Sequence, residues 1–203
     1  MKNILILFLL LSLAGCISVS SSPSSRFYAL ESAKEPGAAL AGANSLSNVV
    51  IGIGPVTLPE YLNRPQIVTK NKNNTVEFAQ FDRWTDTLDQ EIIRVMAKNF
   101  SLFLPQANTQ IYPWNSIIPV KYQVIMEVIQ LDCKLDGDAD MLVQWSVIGA
   151  QEKKMLLTKR SEYRQSLETH DYPGLVQALS LISESLGREI AQALTQLPAQ
   201  VKP

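Results

Sequence analysis

Residues 173–198 read PGLVQALSLISESLGREIAQALTQLP, the most regular stretch of the chain. Its apolar side chains recur at steps of three or four, which is the spacing of one helix face: Val176, Leu179, Ile182, Leu186, Ile190 and Leu194. Pro173 suits a first helical turn, and Pro198 stops the pattern. The stretch predicts a long amphipathic helix, whose apolar stripe needs a second layer of protein to cover it.

A second helix is predicted at residues 87–103. Its apolar residues again follow helical spacing: Leu88, Ile92, Val95, Met96 and Phe103. Thr87 and Gln90 resemble a capping box, in which two side chains bond the free backbone amides of the first turn. Pro105 ends the segment.

The other half of the fold is predicted to be a sheet. Extended runs rich in β-branched and aromatic residues lie at 27–30, 49–58, 66–69, 75–81, 120–131, 141–148 and 156–167. The Asn-rich residues 70–74 and the Asp136-Gly137 pair predict two hairpin connections. The chain is therefore predicted to be α+β, with a mostly antiparallel sheet and two amphipathic helices packed on one face.

Two details refine this prediction. Gly52, Gly54 and Pro55 interrupt the run at 49–58, so a bulge or strand end is expected there. Residues 32–47 are rich in Ala, Gly and Ser without a period, which is typical of a mobile loop. Trp145 alternates with apolar neighbours in its strand and is expected to pack in the core.

The first sixteen residues predict export and lipidation. Lys2 precedes a short apolar run, and Leu13, Ala14 and Gly15 lead to Cys16. This order resembles the bacterial lipobox, in which the cysteine is acylated and becomes the first residue of the mature chain. The alternative is an ordinary signal peptide that ends in a chance cysteine. The apolar run is shorter than the roughly twenty residues that cross a bilayer.

The chain is accordingly divided into a signal peptide at 1–15, a lipid-anchored flexible tether at 16–25, one periplasmic α+β domain at 26–198 and a tail at 199–203. Ile17 follows the cysteine where an aspartate would resemble an inner-membrane retention signal, so the outer membrane is expected. About ten extended residues would hold the domain within ~33 Å of the bilayer.

Composition excludes several classes of function. The formal net charge of the 203 residues is −1 with no basic block, which argues against a nucleic-acid partner. Cys133 is left without a partner in the chain and is expected to be buried, or else to pair with another molecule. No cofactor is expected beyond the lipid on Cys16.

Candidate catalytic and metal-binding residues are few. His170 is the single histidine and precedes the last helix, and no G-x-S-x-G motif supplies an activated serine. One histidine and one buried cysteine are too few ligands for zinc. Asp136, Asp138 and Asp140 alternate like the start of a calcium loop, but Met141 stands where that loop needs glycine. A solvated hairpin tip is the better interpretation, so no metal site is predicted.

Several motifs occur together in a way that resembles one family. FYAL at 27–30 follows the lipobox, IGIGPV at 51–56 runs into LPEYLNRPQIVT at 58–69, and FDRW at 81–84 leads into the first helix. With the strand that carries Trp145 and the long last helix, the set resembles the PqiC (YmbA-like) family of ABC-type transport auxiliary lipoproteins. The resemblance covers nearly the whole mature chain.

The resemblance implies a non-enzymatic role at the outer membrane. Members of the family work with MCE-domain proteins (here a PqiB-like protein), whose ring assemblies carry lipid between the two membranes and support envelope integrity. A lipid-anchored module could anchor or cap the outer end of such a conduit. Because the partner is a symmetric ring, a ring-shaped homo-oligomer of this chain is expected. Two alternatives stay open: a structural lipoprotein that assembles or plugs another outer-membrane machine, and a periplasmic hydrolase.

Within this hypothesis two segments are expected to contact the partner. The proline-bracketed turn at 59–66 is rigid and carries the candidates Glu60, Tyr61, Arg64, Pro65 and Gln66. Arg83 and Trp84 are of the residue types enriched in binding hot spots. The alternative is fold support, in which Arg64 or Arg83 pairs with Glu60 and Trp84 packs at the edge of the core.

Overall fold

The computed structural model describes residues 23–34 and 39–197. The predicted signal peptide, Cys16 and the tail at 199–203 lie outside the described residues, as does the tether except for its last three positions. No helix among the described residues is long and apolar enough to span a membrane.

Within the described residues the domain consists of eight strands and two α-helices. The strands are β1 (Arg26–Tyr28), β2 (Val50–Thr57), β3 (Gln66–Lys70), β4 (Val76–Trp84), β5 (Asn108–Ile111), β6 (Tyr122–Cys133), β7 (Asp138–Gly149) and β8 (Lys154–Ser166). The helices are α1 (Leu88–Phe103) and α2 (Tyr172–Gln196), and single 3-10 turns occupy Ala43–Leu46 and Glu60–Leu62.

The strands form two mixed sheets rather than the single sheet expected from sequence. The larger sheet has the order β5-β2-β6-β7-β8, and the smaller one has the order β1-β4-β3. Strands β6, β7 and β8 are an antiparallel meander, whereas β2 is parallel to both β5 and β6. The register of β2 shifts between Ile53 and Val56, which confirms the predicted bulge. The α+β class and the mostly antiparallel pairing are confirmed.

The core lies between the five-stranded sheet and the two helices. Alternate residues of β6 and β7 face inward as opposed pairs, such as Val124 with Val147 and Met126 with Trp145. Trp145 is 0% exposed, which confirms its core position. Its indole Nε1 donates to Ser161 Oγ at 3.1 Å, so the one polar atom of the buried ring is satisfied.

The long helix α2 forms as its sequence predicts. The Asp171 carboxylate caps it by accepting a hydrogen bond from Gly174 N at 2.9 Å, and a proline lies in the first turn. The whole predicted stripe is buried. The two helices approach closely at Gly187, where a Cβ atom would lie 3.3 Å from Asn99 Cβ.

The start of α1 differs from the prediction. The Thr87 side chain makes no capping hydrogen bond, so the capping box with Gln90 is wrong. The preceding residue supplies an acceptor instead, because the Asp86 carboxylate receives the Thr87 amide at 2.8 Å.

The predicted mobile loop at 32–47 is folded over most of its described length. Leu40 N donates to Phe103 O at 3.0 Å, at the end of α1. The 3-10 turn that follows buries Ala43 and Leu46 against the core. The burial of these two apolar residues explains why the segment is folded although its sequence has no helix or strand period.

The carboxylates near the tip of the β6–β7 hairpin keep contact with water, as predicted, but they also bind the next strand. Asp140 Oδ1 lies 2.5 Å from Arg164 Nε, and Asp138 accepts from Ser166 Oγ at 2.7 Å, both at exposed positions. Both contacts join β7 to β8. These carboxylates therefore also stabilise the meander, which the sequence did not indicate.

Candidate functional site

The fold brings the two predicted partner-binding segments together. The backbone carbonyl of Pro65 accepts a hydrogen bond from Trp84 N at 2.8 Å, and Gln66 on β3 is paired with Arg83 on β4. The 3-10 turn Glu60–Leu62, which precedes Arg64 in the chain, is anchored in the core by the buried side chain of Leu62. Residues from distant parts of the sequence thus form one surface, which we call the turn surface: Glu60, Arg64, Pro65, Gln66 and Arg83.

Two of the predicted residues support this surface rather than form it. Trp84 is 4% exposed and belongs to the core, so burial favours the fold-support interpretation for this residue. Tyr61 is half-buried, and its hydroxyl donates to Leu131 O at 3.4 Å. Burial, with a smaller effect of nearby Asp132, raises the pKa of Tyr61, which keeps the phenol protonated as a donor.

Arg64 presents a cation above an aromatic ring. Its guanidinium carbon lies 3.9 Å from the centre of the Phe78 ring, and Phe78 is 49% exposed. Arg64 Nε is buried without a hydrogen-bond partner among the described residues. The charged group is therefore positioned by stacking while part of its hydrogen-bonding capacity is unused.

Arg83 lies in a row that crosses the small sheet. It is paired with Gln66 on one side and with Phe27 on the other. Its neighbours in β4, Asp82 and Trp84, are buried, so alternation directs Arg83 outward. Within the described part of the chain neither Arg83 nor Arg64 forms an ion pair, so the alternative in which one of them pairs with Glu60 is not found.

The adjoining N-terminal strand is attached through a buried carboxylate that sequence reasoning did not select. Asp82 is 4% exposed and accepts two hydrogen bonds from Arg26, at 2.7 and 2.9 Å. The Tyr28 hydroxyl donates to the same carboxylate at 2.8 Å, and burial followed by this bond raises the pKa of Tyr28. These contacts fix β1 where the predicted tether enters the domain.

The chain after β1 is held between the two helices by side-chain acceptors. Leu30 N donates to Glu91 Oε2 at 3.2 Å, and Ala33 N donates to Asn99 Oδ1 at 2.9 Å, both on α1. From α2, Ser180 Oγ accepts the Glu31 amide at 3.0 Å. We call residues 26–34 the N-terminal strap. None of its acceptors had a local sequence signal, because each lies more than fifty residues from its donor.

The remaining chemical candidates lie apart from this surface. His170 is exposed, with Nδ1 3.0 Å from Leu135 O. Cys133 is buried as predicted, and burial raises the pKa of its thiol to about 12. Among the described residues, no three histidine, cysteine, aspartate or glutamate side chains converge as a metal site.

A comparison with known families gives this arrangement its context. The model of the ABC-type transport auxiliary lipoprotein component family matches residues 28–191, from β1 into α2. The chain belongs to this family. The matched range includes the turn surface, both sheets and most of the N-terminal strap.

Individual relatives agree with the assignment. The chain is 25% identical over 199 residues to the intermembrane transport lipoprotein PqiC of Escherichia coli K12, which covers 98% of this chain and 100% of that protein. The Shigella flexneri protein of the same name matches equally.

Solved structures show a similar fold. An uncharacterised protein has a TM-score of 0.68 at 17% identity, covering 85% of this chain and 99% of its own. A Xanthomonas campestris protein has a TM-score of 0.64 at 8% identity, covering 84% and 95%. At these identities the likeness concerns the fold alone.

Proposed function

We propose that this chain is a lipid-anchored, non-enzymatic accessory subunit of an MCE-type intermembrane lipid transport system. It anchors or caps the periplasmic conduit at the inner face of the outer membrane and so supports envelope integrity. Family membership supports the transport role, and the full-length similarity to an intermembrane transport lipoprotein supports the kind of transport. Lipid that moves through water exposes its acyl chains, so a covered route lowers the free energy of transfer.

Anchoring is proposed to depend on acylation of Cys16. Each buried methylene adds about 0.8 kcal/mol of membrane affinity, so several acyl chains on one cysteine can hold the domain at a membrane. The described chain enters the fold at Arg26, whose pair with Asp82 gives the tether a fixed attachment point. Radiolabelled palmitate should be incorporated into the native protein and not into a Cys16→Ser variant. Absence of label from the native protein would refute the anchor.

Contact with the MCE-domain partner is assigned to the turn surface. The observation that carries this assignment is a pair of arginines, Arg64 and Arg83, whose Nε atoms have no hydrogen-bond partner among the described residues. The pairing of Gln66 with Arg83 places the two arginines on one surface. Arginine is enriched in binding hot spots, and a carboxylate of a partner would supply the missing acceptors. The rigid turn loses little conformational entropy on docking.

The assignment is tested by substituting one arginine and measuring two properties. We expect Arg64→Ala to lose capture of the MCE-domain partner in a pull-down, with little change in the thermal unfolding midpoint. Arg160→Ala is the matched control, since Arg160 is an exposed arginine on β8, away from the turn surface. Capture that survives Arg64→Ala, or that falls equally in both variants, would refute contact at this surface.

A ring-shaped homo-oligomer is part of the same proposal and rests on the symmetry expected of the partner. Light scattering on the purified lipoprotein in detergent should give a mass several times that of one chain. A monomeric mass in the presence of the partner would refute the ring without affecting the contact assignment.

A further inference from the structure

An uncharged loop crosses the outer face of the five-stranded sheet. Strand β2 lies between β5 and β6 and runs parallel to both, so the residues that join β5 to β6 must pass over β2. We call these residues, 112–121, the crossover loop. Trp114 of this loop covers Gly52, whose neighbours Ile51 and Ile53 are buried in the core. Alternation along β2 therefore places the loop on the face away from the helices.

The crossover loop is held firmly at both ends and in its middle. The amides of Tyr112 and Lys121 donate to carbonyl groups of β2 and of the residue at its start, each at 2.9 Å. A Cβ atom at Gly52 would lie only 2.5 Å from the Trp114 ring, so the indole packs directly on the backbone of the sheet. The rings of Tyr112 and Trp114 meet edge to face, with centres 5.6 Å apart. The loop therefore presents its tip in one fixed position.

Apolar side chains project into solvent from this loop. Ile117 is 85% exposed, and its amide donates to Asn115 Oδ1 at 3.0 Å, which fixes the backbone at the tip. Ile111 and Tyr112, at the beginning of the loop, are exposed as well. No charged residue occurs anywhere between positions 99 and 120. A single exposed isoleucine is ordinary, whereas several exposed apolar side chains on one rigid, uncharged loop mark a contact surface.

Lysines border this apolar surface. Ala150 N donates to Lys121 O at 2.9 Å, which holds the β7–β8 turn beside the end of the crossover loop. That turn and the start of β8 contribute Lys153 and Lys154, together with one acidic residue, Glu152. Within residues 23–34 and 39–197 none of these three lysines forms an ion pair. The border therefore carries an excess of positive charge that is available to an anionic partner.

This combination of side chains favours a lipid surface over a protein. Tryptophan and tyrosine are enriched where a membrane meets water, and lysine side chains extend from there to anionic headgroups. The contact surfaces between proteins are instead depleted of lysine. We propose that the crossover loop inserts Ile117 into the interface of an anionic lipid leaflet. Tyr112 and Trp114 then lie at the level of the headgroups, and the bordering lysines contact lipid phosphates.

This inference deepens the proposed function and relies on its placement of the domain at a membrane. The loop gives the domain a second contact with the leaflet besides the lipid on Cys16, and so limits how the domain is oriented. The turn surface stays accessible, because Tyr61 beside it bonds Leu131, nine residues along β6 from Tyr122. Nine strand residues span about 30 Å, a distance that the predicted tether covers when extended. Leaflet and partner can therefore be engaged at the same time.

Tryptophan fluorescence tests the contact in the native lipoprotein. Trp114 is partly exposed, whereas the other two tryptophans, Trp84 and Trp145, are buried. The protein is reconstituted in vesicles of phosphatidylethanolamine and phosphatidylglycerol, with or without bromine on the acyl chains. A Trp114→Phe variant supplies the emission of the two core tryptophans for subtraction. We expect brominated lipid to lower the Trp114 emission about twofold or more, since an indole at headgroup level lies close to the chains.

Two variants examine the roles of the tip and of the lysines. Ile117→Asp should reduce the quenching about threefold or more, because a carboxylate is costly to bring into lipid. Val76→Asp is the matched control, since Val76 is an exposed apolar residue on the other sheet, and its quenching should equal that of the native protein. Lys154→Glu should weaken quenching while phosphatidylglycerol is present and should have little effect in vesicles of phosphatidylethanolamine and phosphatidylcholine.

Three outcomes would overturn the inference. The first is native protein that incorporates palmitate at Cys16 while Trp114 is not quenched, in which case the proposed function stands. The second is equal quenching in the native protein and in Ile117→Asp. The third is Trp114 that is shielded from iodide in detergent and unaffected by brominated lipid, which would assign the loop to a protein contact. Absence of palmitate with quenching retained would refute the proposed anchor and support the loop contact.

Discussion

Replacing Glu91 by glutamine tests how the N-terminal strap is held. The Glu91 side chain is 3% exposed and receives three hydrogen bonds: from Leu30 N at 3.2 Å, from Thr85 Oγ1 at 2.6 Å and from Arg94 Nη2 at 2.7 Å. The Leu30 amide approaches Oε2, and the other two donors approach Oε1. Glutamine keeps the shape of the side chain but offers one oxygen instead of two.

The expected loss of stability follows from these contacts. If the glutamine oxygen faces Thr85 and Arg94, its NH₂ group meets the Leu30 amide, and a buried donor loses its acceptor. Leaving such a donor unsatisfied costs about 1–3 kcal/mol of the free energy of unfolding. For a domain of this size each kcal/mol lowers the unfolding midpoint by about 2–4 °C, so Glu91→Gln should lower it by about 2–12 °C.

Thermal unfolding followed by circular dichroism measures this loss, and amide exchange locates it. Exchange of the Leu30 amide should rise with local opening, by about tenfold for each 1.4 kcal/mol. Glu184→Gln is the control, because Glu184 forms a half-exposed i, i+4 helix pair with Arg188, and such pairs are worth less than about 1 kcal/mol. Equal midpoints for the two variants, or a lower midpoint with unchanged exchange at Leu30, would show that Glu91 does not hold the strap.

Three further predictions concern two core residues and one half-buried carboxylate of α2. Burial raises the pKa of Cys133 to about 12, so at pH 8 its thiol should not react with a thiol reagent in the folded protein. The thiol should react once the protein is unfolded, and rapid labelling of the folded protein would contradict this prediction. Trp145→Ala should cost about 3–5 kcal/mol in chemical unfolding, whereas Ser161→Ala should cost less, and similar losses would refute the packing account. Burial raises the pKa of Glu189, but hydrogen bonds, led by that from Lys159, lower it overall. Ionised Glu189 therefore stabilises the fold at pH values above its pKa in the unfolded chain, and this stabilisation is lost as the pH falls through its lower pKa in the folded protein. In Glu189→Gln the unfolding midpoint should accordingly fall less between about pH 5 and pH 3 than it does in the native protein.

Elements with a strong internal period could be predicted from the sequence. The stripe of α2 and the alternation around Trp145 place side chains correctly because each pattern depends on neighbouring residues. The β3–β4 and β6–β7 hairpins are found for the same reason, since their turns carry local signals. Strand β5 has only four residues, half of them exposed, and shows no such pattern.

Features that depend on distant partners could not be predicted. Nothing local to β2 indicates that both of its neighbours run parallel to it, because that depends on how β5 and β6 return to the sheet. The same holds for Asp82 and for the contact of Glu91 with Leu30, because the donors lie 54 to 61 positions away. In the sequence both resemble ordinary exposed carboxylates.

The candidate site illustrates both cases. Its residues were selected from residue type and turn rigidity, and the structure brings Gln66 and Arg83 into direct pairing. The alternative pairing of Arg64 or Arg83 with Glu60 is not found among the described residues, since spacing in the sequence does not fix which way a long side chain points. Arg64 stacks on Phe78 instead, and Phe78 comes from the other side of the β3–β4 hairpin.

The position of β1 relates the proposed anchor to the proposed partner surface. Strand β1 pairs with β4, and β4 pairs with β3, so Phe27, Arg83 and Gln66 form one row across three strands. Neighbouring strands lie about 4.8 Å apart, which places the entry of the tether one strand spacing from Arg83 and about 10 Å from Gln66 on the turn surface. A load on the tether would pass through Arg26 and Asp82 into β4, the strand that carries Arg83, before it reached the main core. If the anchor and the partner contact are both correct, the three-stranded sheet transmits force between the membrane and the conduit. A substitution that removes the Asp82 carboxylate, and with it the contact to Arg26, should then reduce partner capture in membranes more than in detergent.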